Sequence, residues 1–330
     1  MMFEFDAYVT DARFDRAGTP IFALGDGTVR LAGEAGYVTV EAHQGAVLSA
    51  CDHPSGNGII TGGDDGRVVW TRREGEEVAA SEIARVQGRW IDAVAASAET
   101  GLLAFSAGRD LHVRDSADPA FARVFTHDKS VADIAFDPKG RRIATATYGG
   151  AALWYARIEK QQPQLLKWAG SHVMVRWSPD GRFLMSAMQE NSLHGWRLAD
   201  SKDMRMGGYP AKVKSLAFLS GGLMLATSGA NGVVVWPFQG SNGPMGKEAA
   251  EVGFDQEAMV ARVAATPDAG ALVAGLDDGR VWACDLKSGQ REMLKAEKGP
   301  PVSALAITPD GASVAWGDED GGAGVLASGF

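Results

Sequence analysis

The stretch VADIAFDPKGRRIATATYGGAALW, residues 131–154, decides the fold of this chain. It contains a β-rich run, a Pro/Gly turn, a second apolar run that ends in small residues, another turn, and a third run that closes on Trp. The same phrase recurs at His43–Trp70, His172–Trp196 and Lys212–Trp236. Because one such unit cannot bury its own apolar faces, copies of it must pack against one another. The pattern predicts an all-β repeat protein.

The number of phrases sets the expected architecture. Their third runs close about 40 residues apart, which is the period of a four-stranded propeller blade. We therefore expect an all-β, eight-bladed β-propeller of four-stranded antiparallel blades. The alternative is seven blades plus a cap, because the first phrase, residues 20–33 (PIFALGDGTVRLAG), lacks His and Trp. The eight phrases begin near Val9, Val47, Ile91, Val131, Val173, Val213, Val260 and Val302.

Other segments of the sequence predict the outer strands, the closure of the ring and the turns. The segments Gly36–Ala42 and Gln164–Trp168 have strand-like composition and could supply outer strands. Phe3–Asp6 could complete the last blade, so we expect a single domain over residues 1–330, its ring closed by pairing of the N- and C-terminal strands. The turns between first and second runs read DHPSGN (52–57), DPKG (137–140), SPDG (178–181), TPDAG (266–270) and TPDG (308–311).

The period, the turns and the closing Trp resemble the WD40-repeat β-propeller family over residues 8–330. The resemblance implies a buried network of a His before the first strand, a Ser or Thr on the second, an Asp in the next turn and a Trp on the third. Only the second phrase carries all four types, with Asp64 or Asp65 as the acid. The fourth phrase has Tyr148-Gly149 where the Asp is expected, and the sixth has no His. The residues that the resemblance assigns to this structural network are His43, Thr61, Asp65, Trp70, His127, Thr145, Trp154, His172, Ser186, Trp196, Thr227 and Trp236.

Composition excludes several classes of function. With 32 basic and 41 acidic residues, the net charge is −9, which disfavours nucleic acid as a partner. No apolar run is long enough to span a membrane, and the acidic N-terminus lacks the features of a signal peptide, so a cytoplasmic protein with no membrane partner is expected. The two cysteines, Cys51 and Cys284, form no disulfide framework. Cys51-Asp52-His53 and the Asp-Gly turns read as turn chemistry, so no metal and no cofactor is expected.

The favoured function is a non-enzymatic scaffold that binds a protein or peptide, mainly through the top face of the propeller, as a monomer. In the family this face gathers the loops before the first strands and the turns before the Trp strands. The alternative is a propeller enzyme, or a binder of a small molecule or ion, that uses the central channel. No catalytic residue is assigned. The aromatic, charged and Met side chains expected at the partner-binding face are Arg89, Trp90, Arg109, Tyr148, Glu190, Tyr209, Phe254 and Met259.

Overall fold

A computed structural model describes residues 1–75, 77–267 and 270–329. The chain divides into two compact units: a middle unit, Asp15–Trp177, and a terminal unit, Met1–Phe14 with Ser178–Phe330. Regular structure in the described residues is β-strand, apart from one 3₁₀ turn at Ser220–Gly222.

Thirty strands are numbered along the chain. They are β1 (Met2–Glu4), β2 (Val9–Phe14), β3 (Pro20–Leu24), β4 (Thr28–Gly33), β5 (Gly36–Glu41), β6 (Val47–Asp52), β7 (Ile59–Gly63), β8 (Arg67–Glu74), β9 (Glu77–Arg85), β10 (Ile91–Ser97), β11 (Leu102–Ala107), β12 (Asp110–Asp115), β13 (Ala122–Thr126), β14 (Asp133–Phe136), β15 (Arg142–Tyr155), β16 (Gln164–Trp177), β17 (Phe183–Met188), β18 (Leu193–Arg197), β19 (Lys202–Met206), β20 (Leu216–Leu219), β21 (Met224–Thr227), β22 (Val233–Pro237), β23 (Ala250–Val252), β24 (Val260–Ala265), β25 (Ala271–Leu276), β26 (Val281–Asp285), β27 (Arg291–Lys295), β28 (Val302–Ile307), β29 (Ser313–Asp318) and β30 (Gly322–Ala327).

The predicted eight blades are wrong as a count of sheets. The described strands form seven antiparallel sheets, six of four strands and one of six. The six-stranded sheet contains β14 to β19, which the sequence assigned to two separate phrases. No Pro or Asp interrupts residues 164–177, so β16 runs through the position where a break between phrases was expected. The seven sheets do not include a cap either, because β2 to β5 form one of the four-stranded sheets.

The strands begin close to the predicted positions. Five of the eight phrase starts are the first residues of strands, at β2, β6, β10, β24 and β28. In the terminal unit β1 pairs antiparallel with β30, and Phe3 lies opposite Ala323. Strand β1 therefore completes the sheet β28-β29-β30, as the sequence indicated. The single closed domain over residues 1–330 stays a prediction.

Consecutive sheets stack through apolar faces, as the phrase pattern requires. In the middle unit, one buried cluster joins residues of β10 to β12 with residues of β14 and β15, including Leu111, Ile143 and Trp154. Hydrogen bonds between first strands reinforce the stacking at about one repeat spacing. The Ser49 hydroxyl donates to the Ile91 carbonyl, 42 residues later. In the terminal unit, the Ser215 hydroxyl likewise donates to the carbonyl of Val263 at 2.9 Å.

The Pro/Asp/Gly turns form as their chemistry predicts. At 137–140, the amide of Gly140 donates to the carbonyl of Asp137 at 2.8 Å. The Asp137 carboxylate also accepts the amide of Arg141 at 2.7 Å, which fixes the turn. Gly140 has a φ of 63°, a conformation that glycine adopts without the strain a side chain would bring. The predicted turn at 266–270 lies partly outside the described residues.

The irregular segment 237–257 is anchored to the core of the terminal unit by its aromatic side chain at 238. Phe238 is buried and packs edge-on against Phe183 and Phe218, with ring centroids 5.5 and 5.2 Å away. Near its end, the segment supplies β23, which pairs with β22. Phe238 therefore belongs to the core of the terminal unit rather than to an interaction surface.

Candidate interaction surface

The polar network of the second phrase lies at the junction of a loop, a strand and a turn. His43 Nδ1 donates to the Asp65 carboxylate at 3.0 Å, because an ionised carboxylate only accepts. His43 Nε2 then accepts from the Thr61 hydroxyl at 2.8 Å. Burial lowers the pKa of His43, although the neighbouring Asp65 opposes this, so the imidazole is neutral. The acid of this network is Asp65 rather than Asp64.

Trp70 lies outside that network, in contrast to the expectation. Its indole nitrogen donates to the carbonyl of Asn57 at 2.8 Å. Its ring stacks on His53, with centroids 3.9 Å apart, and the guanidinium of Arg72 lies 3.9 Å from the ring centre. Trp70 thus holds the turn after β6 in place.

The fourth phrase joins His, Thr and Trp directly. Trp154 Nε1 donates to His127 Nε2 at 2.9 Å, so this nitrogen carries no proton. The opposite nitrogen, Nδ1, donates to the carbonyl of Arg109 at 3.1 Å. The Thr145 hydroxyl lies 3.0 Å from Nε2. A backbone carbonyl therefore takes the role that Asp65 has in the second phrase.

Tyr209 was expected at the partner-binding face, and this is wrong. Its side chain is buried, with 8% of its surface exposed. Its hydroxyl lies 2.7 Å from the Thr227 hydroxyl and accepts a 2.7 Å hydrogen bond from Trp236 Nε1. Burial raises the pKa of Tyr209 to about 12, so the hydroxyl stays neutral. Tyr209 is the network residue of the sixth phrase, which lacks a His.

The spacing along the chain identifies this role. Tyr209 precedes Thr227 by 18 residues and Trp236 by 27. His127 precedes Thr145 and Trp154 by the same two intervals. A comparison of intervals rather than of residue types would have found it in the sequence.

The fifth-phrase residues are divided between the two units. His172 lies in the middle unit, where its Nε2 is 3.2 Å from the carbonyl of Trp168. Ser186 and Trp196 lie buried in the terminal unit, where Trp196 contacts His194 edge-on with centroids 4.8 Å apart.

Backbone hydrogen bonds bring the loops before first strands onto the turns before third strands. In the middle unit, the amide of Val86 donates to the carbonyl of Gly66 at 2.9 Å. The amide of His127 donates to the carbonyl of Arg109, and that of Val131 to the carbonyl of Gly108, both at 2.9 Å. Each loop therefore lies against the turn of the preceding phrase, so the two kinds of connection share one side of these sheets.

Four expected partner-binding residues lie on this side of the middle unit. Trp90 and Tyr148 expose 63% and 65% of their surfaces, and Arg89 and Arg109 are also exposed. A methyl group on Gly108 would lie 3.8 Å from the guanidinium of Arg89, so the two connections are neighbours. We call residues 86–90, 108–109, 127–131 and 147–150 the loop surface. These segments contain three Arg or Lys and one Asp, a net charge of +2 in a chain of −9.

The three remaining candidates belong to the terminal unit. Phe254 exposes 59% of its surface, and Glu190 is also exposed. Met259 is half-buried, and its amide donates to the carboxylate of Asp277 at 2.9 Å. They stay predictions as partner-binding residues.

A cavity of about 710 Å³ opens beside the loop surface, wholly within the middle unit. His127 and Trp154, both nearly buried, line it together with the exposed Tyr148 and Leu165. Among these lining residues, the sequence predicted Tyr148 as a partner-binding residue and His127 and Trp154 as structural network residues. The lining residues that the sequence interpretation missed include Leu165, Lys129, Lys167 and Trp168.

The described residues contain neither a cluster of metal ligands nor a membrane-spanning helix. No three His, Cys, Asp or Glu side chains come together there in an arrangement that would hold a metal ion. His53 Nδ1 accepts the amide of Ser55 at 3.2 Å, and both cysteines are free thiols. No helix in the described part of the chain is long and apolar enough to cross a membrane.

Comparison with known proteins identifies one sequence repeat and two partly matching relatives. The model of the family "WD domain, G-beta repeat" matches residues 37–70. Protein LST8 homolog of Drosophila pseudoobscura pseudoobscura is 32% identical over 113 residues, 33% of this chain and 36% of that protein. Protein LST8 homolog of Drosophila melanogaster is 29% identical over 153 residues, 42% of this chain and 49% of that protein. The chain therefore matches less than half the length of either relative.

A solved structure shows the fold over more of the chain. The computationally designed Ika8 protein covers 98% of this chain and 98% of its own, with a TM-score of 0.77 and 18% sequence identity. Together with the family match, this confirms the resemblance to WD40-repeat β-propellers, with the count of sheets corrected above.

Proposed function

Starting from a chain that carries a WD40 repeat in a β-propeller fold, we propose that this protein is a non-enzymatic platform for another protein or a peptide. The observation that supports this most is the loop surface of the middle unit. It presents two widely exposed aromatic rings, Trp90 and Tyr148, beside two exposed arginines. Aromatic and Arg side chains carry most of the binding energy at protein interfaces.

The scaffold explains how such a surface would bind. Its loops are tied to the preceding turns by backbone hydrogen bonds, so little conformational freedom is lost when a partner docks. The exposed rings bury apolar area on contact, while the arginines set the orientation of the partner. The terminal-unit residues Glu190, Phe254 and Met259 are proposed as secondary contacts. A cytoplasmic, monomeric protein with no nucleic-acid or membrane partner is part of the same proposal.

Affinity capture from a lysate of the source organism tests the platform. The double variant Arg89→Glu/Trp90→Ala changes the loop surface. The matched control, Tyr155→Ala/Arg141→Glu, makes the same kinds of change at two exposed residues of the middle unit outside that surface. We expect a protein retained by the wild type and by the control to be lost by the loop-surface variant. Circular dichroism must first show that both variants are folded.

Two results would contradict the proposal. The first is that no protein is retained by the wild type. The second is that both double variants lose a retained protein equally, since the contact would then not depend on the loop surface.

A further inference from the structure

The cavity beside Tyr148 has the dimensions of a binding site. Its volume of about 710 Å³ lies within the range of pockets that enclose small ligands or several side chains. Trp154 and His127 are hydrogen-bonded to each other at its edge, so that part of the wall is rigid. Tyr148, Leu165 and Trp168 supply aromatic and aliphatic surface around the opening.

The cavity lies where the fourth phrase departs from the second. In the second phrase, the Asp65 carboxylate lies against His43 and accepts the amides of Gln44 and Arg67. The fourth phrase has Tyr148-Gly149 in place of that acid, and the pairing register of β15 with β16 shifts between Tyr148 and Gly150. The side of His127 that an acid would cover is bonded to the carbonyl of Arg109 instead.

The charges around the cavity favour an anionic group. Its lining residues include Lys129, Lys167 and Asp128, a net charge of +1 in a chain of net charge −9. All three side chains are exposed at the surface. In the described part of the protein neither lysine forms an ion pair or a side-chain hydrogen bond, so both ammonium groups are available to a carboxylate.

A small anion alone would use only part of this site. It would pair with the lysines and leave the surfaces of Tyr148, Trp168 and Leu165 uncovered. A ligand that combines an apolar side chain with nearby carboxylates would use both features, and an acidic peptide is such a ligand. The arginines of the adjoining loop surface extend the cationic area along which its backbone would lie.

We propose that this cavity seats an apolar side chain of an acidic peptide, whose carboxylates pair with Lys129 and Lys167. The inference rests on the proposed function and specifies the chemistry of its partner. The apolar side chain packs against Tyr148 and Trp168, and carboxylates on either side of it reach the two ammonium groups.

Isothermal titration calorimetry with a defined peptide tests this. The probe is an acetylated, amidated pentapeptide of one leucine between two pairs of glutamates, titrated into the full chain at low salt. We expect Lys129→Gln/Lys167→Gln to weaken binding about tenfold, the sum of two exposed charge pairs. Lys139→Gln/Lys160→Gln removes two exposed lysines of the same unit that lie outside the cavity, and it should bind like the wild type.

Changes in the probe test the same contacts in the unaltered protein. Replacing its glutamates by glutamines, or its leucine by serine, should each weaken binding. No binding of the leucine peptide, or equal binding by the two lysine double variants, would overturn the inference. Equal affinity for the leucine and serine peptides, with displacement by inorganic phosphate, would also overturn it, because the site would then recognise an anion only.

The two proposals fail in distinguishable ways. If a lysate protein depends on Arg89 and Trp90 but the peptide does not bind, the platform stands and the acidic-peptide inference fails. If the wild type retains no lysate protein, the platform itself loses its support, whatever the peptide does.

Discussion

The indole nitrogen of Trp236 donates a hydrogen bond to the hydroxyl of Tyr209, 2.7 Å away. The same hydroxyl lies 2.7 Å from the Thr227 hydroxyl, so one oxygen serves the buried Thr227 and the half-buried Trp236. In the fourth phrase, Nε2 of His127 has the equivalent contacts with Trp154 and Thr145. A phenol and an imidazole thus serve the same structural purpose at the same interval along the chain.

This equivalence predicts the effect of two substitutions. Tyr209→Phe removes the acceptor of the Trp236 indole and should lower the free energy of unfolding by about 1–3 kcal/mol. Tyr209→His should be less damaging, because an imidazole nitrogen can accept the same bond. Denaturant titration of each variant measures the loss. Tyr155→Phe, at an exposed tyrosine, is the control, and a loss for Tyr209→Phe no larger than for this control would contradict the assignment.

Gly63 leaves the space in which His43 and Asp65 meet. A Cβ at this position would lie 2.3 Å from His43 Nδ1 and 2.7 Å from Asp65 Oδ1. We therefore expect Gly63→Ala to cost about 1–3 kcal/mol in unfolding free energy, as overpacked cores do. Gly33→Ala is the matched control, because nothing lies within 4 Å of a Cβ there. Thermal unfolding should separate the two variants, and equal melting temperatures would count against a tightly packed network.

His53 predicts a loss of stability in acid. Burial, helped by the charge of Arg72, lowers its pKa from 6.5 to about 4. Because the folded state binds the proton more weakly than the unfolded state, the stabilising contribution is complete above about pH 6.5. It is lost as the pH falls toward 4, and it amounts to about 3 kcal/mol at most.

The free energy of unfolding of the wild type and of His53→Gln, measured from about pH 7 to about pH 4, tests this. The other histidines are common to both proteins, so the difference isolates His53. We expect the stability advantage of the wild type to shrink as the pH falls. A difference that is independent of pH would show that His53 does not titrate in this way.

Truncation of two phenylalanines in the terminal unit should change the free energy of unfolding by very different amounts. Phe238 is buried between Phe183 and Phe218, so Phe238→Ala should cost about 3–5 kcal/mol. Phe254 is mostly exposed, and Phe254→Ala should change the stability by about 0.5 kcal/mol or less. Chemical denaturation measures the free energy of unfolding of both variants. A small loss of stability for Phe238→Ala would mean that segment 237–257 is not anchored.

The sequence predicted the strands well because its turns carry their own chemistry. Asp137 and Gly140 fix their turn through local hydrogen bonds, so no knowledge of distant residues is needed. The prediction of eight blades was wrong where the turn residues between two phrases are few. Residues 164–177 contain no Pro, Asp or Asn, and β16 continues through Gly170, which has a φ of 123°.

The candidate site was predictable in part. Exposed residues such as Trp90 and Tyr148 follow loop and turn signals that are visible in the sequence. The role of Tyr209 was not recognised because the family pattern calls for a His, although the intervals to Thr227 and Trp236 carry the information. The cavity depends on side chains from three separate segments, and no local pattern brings Lys129 and Lys167 together.

The pairing of β1 with β30 has a consequence for synthesis in the cell. Phe3 lies opposite Ala323, so residues 2–4 cannot form this pairing until residues 322–324 have left the ribosome. The other three strands of that sheet, β28 to β30, follow β27 in the chain, and the pairing of β30 with β1 closes a loop of about 320 residues. Until then the first strand must stay available, and a nascent chain that pairs it elsewhere would have to release it before the sheet could be completed.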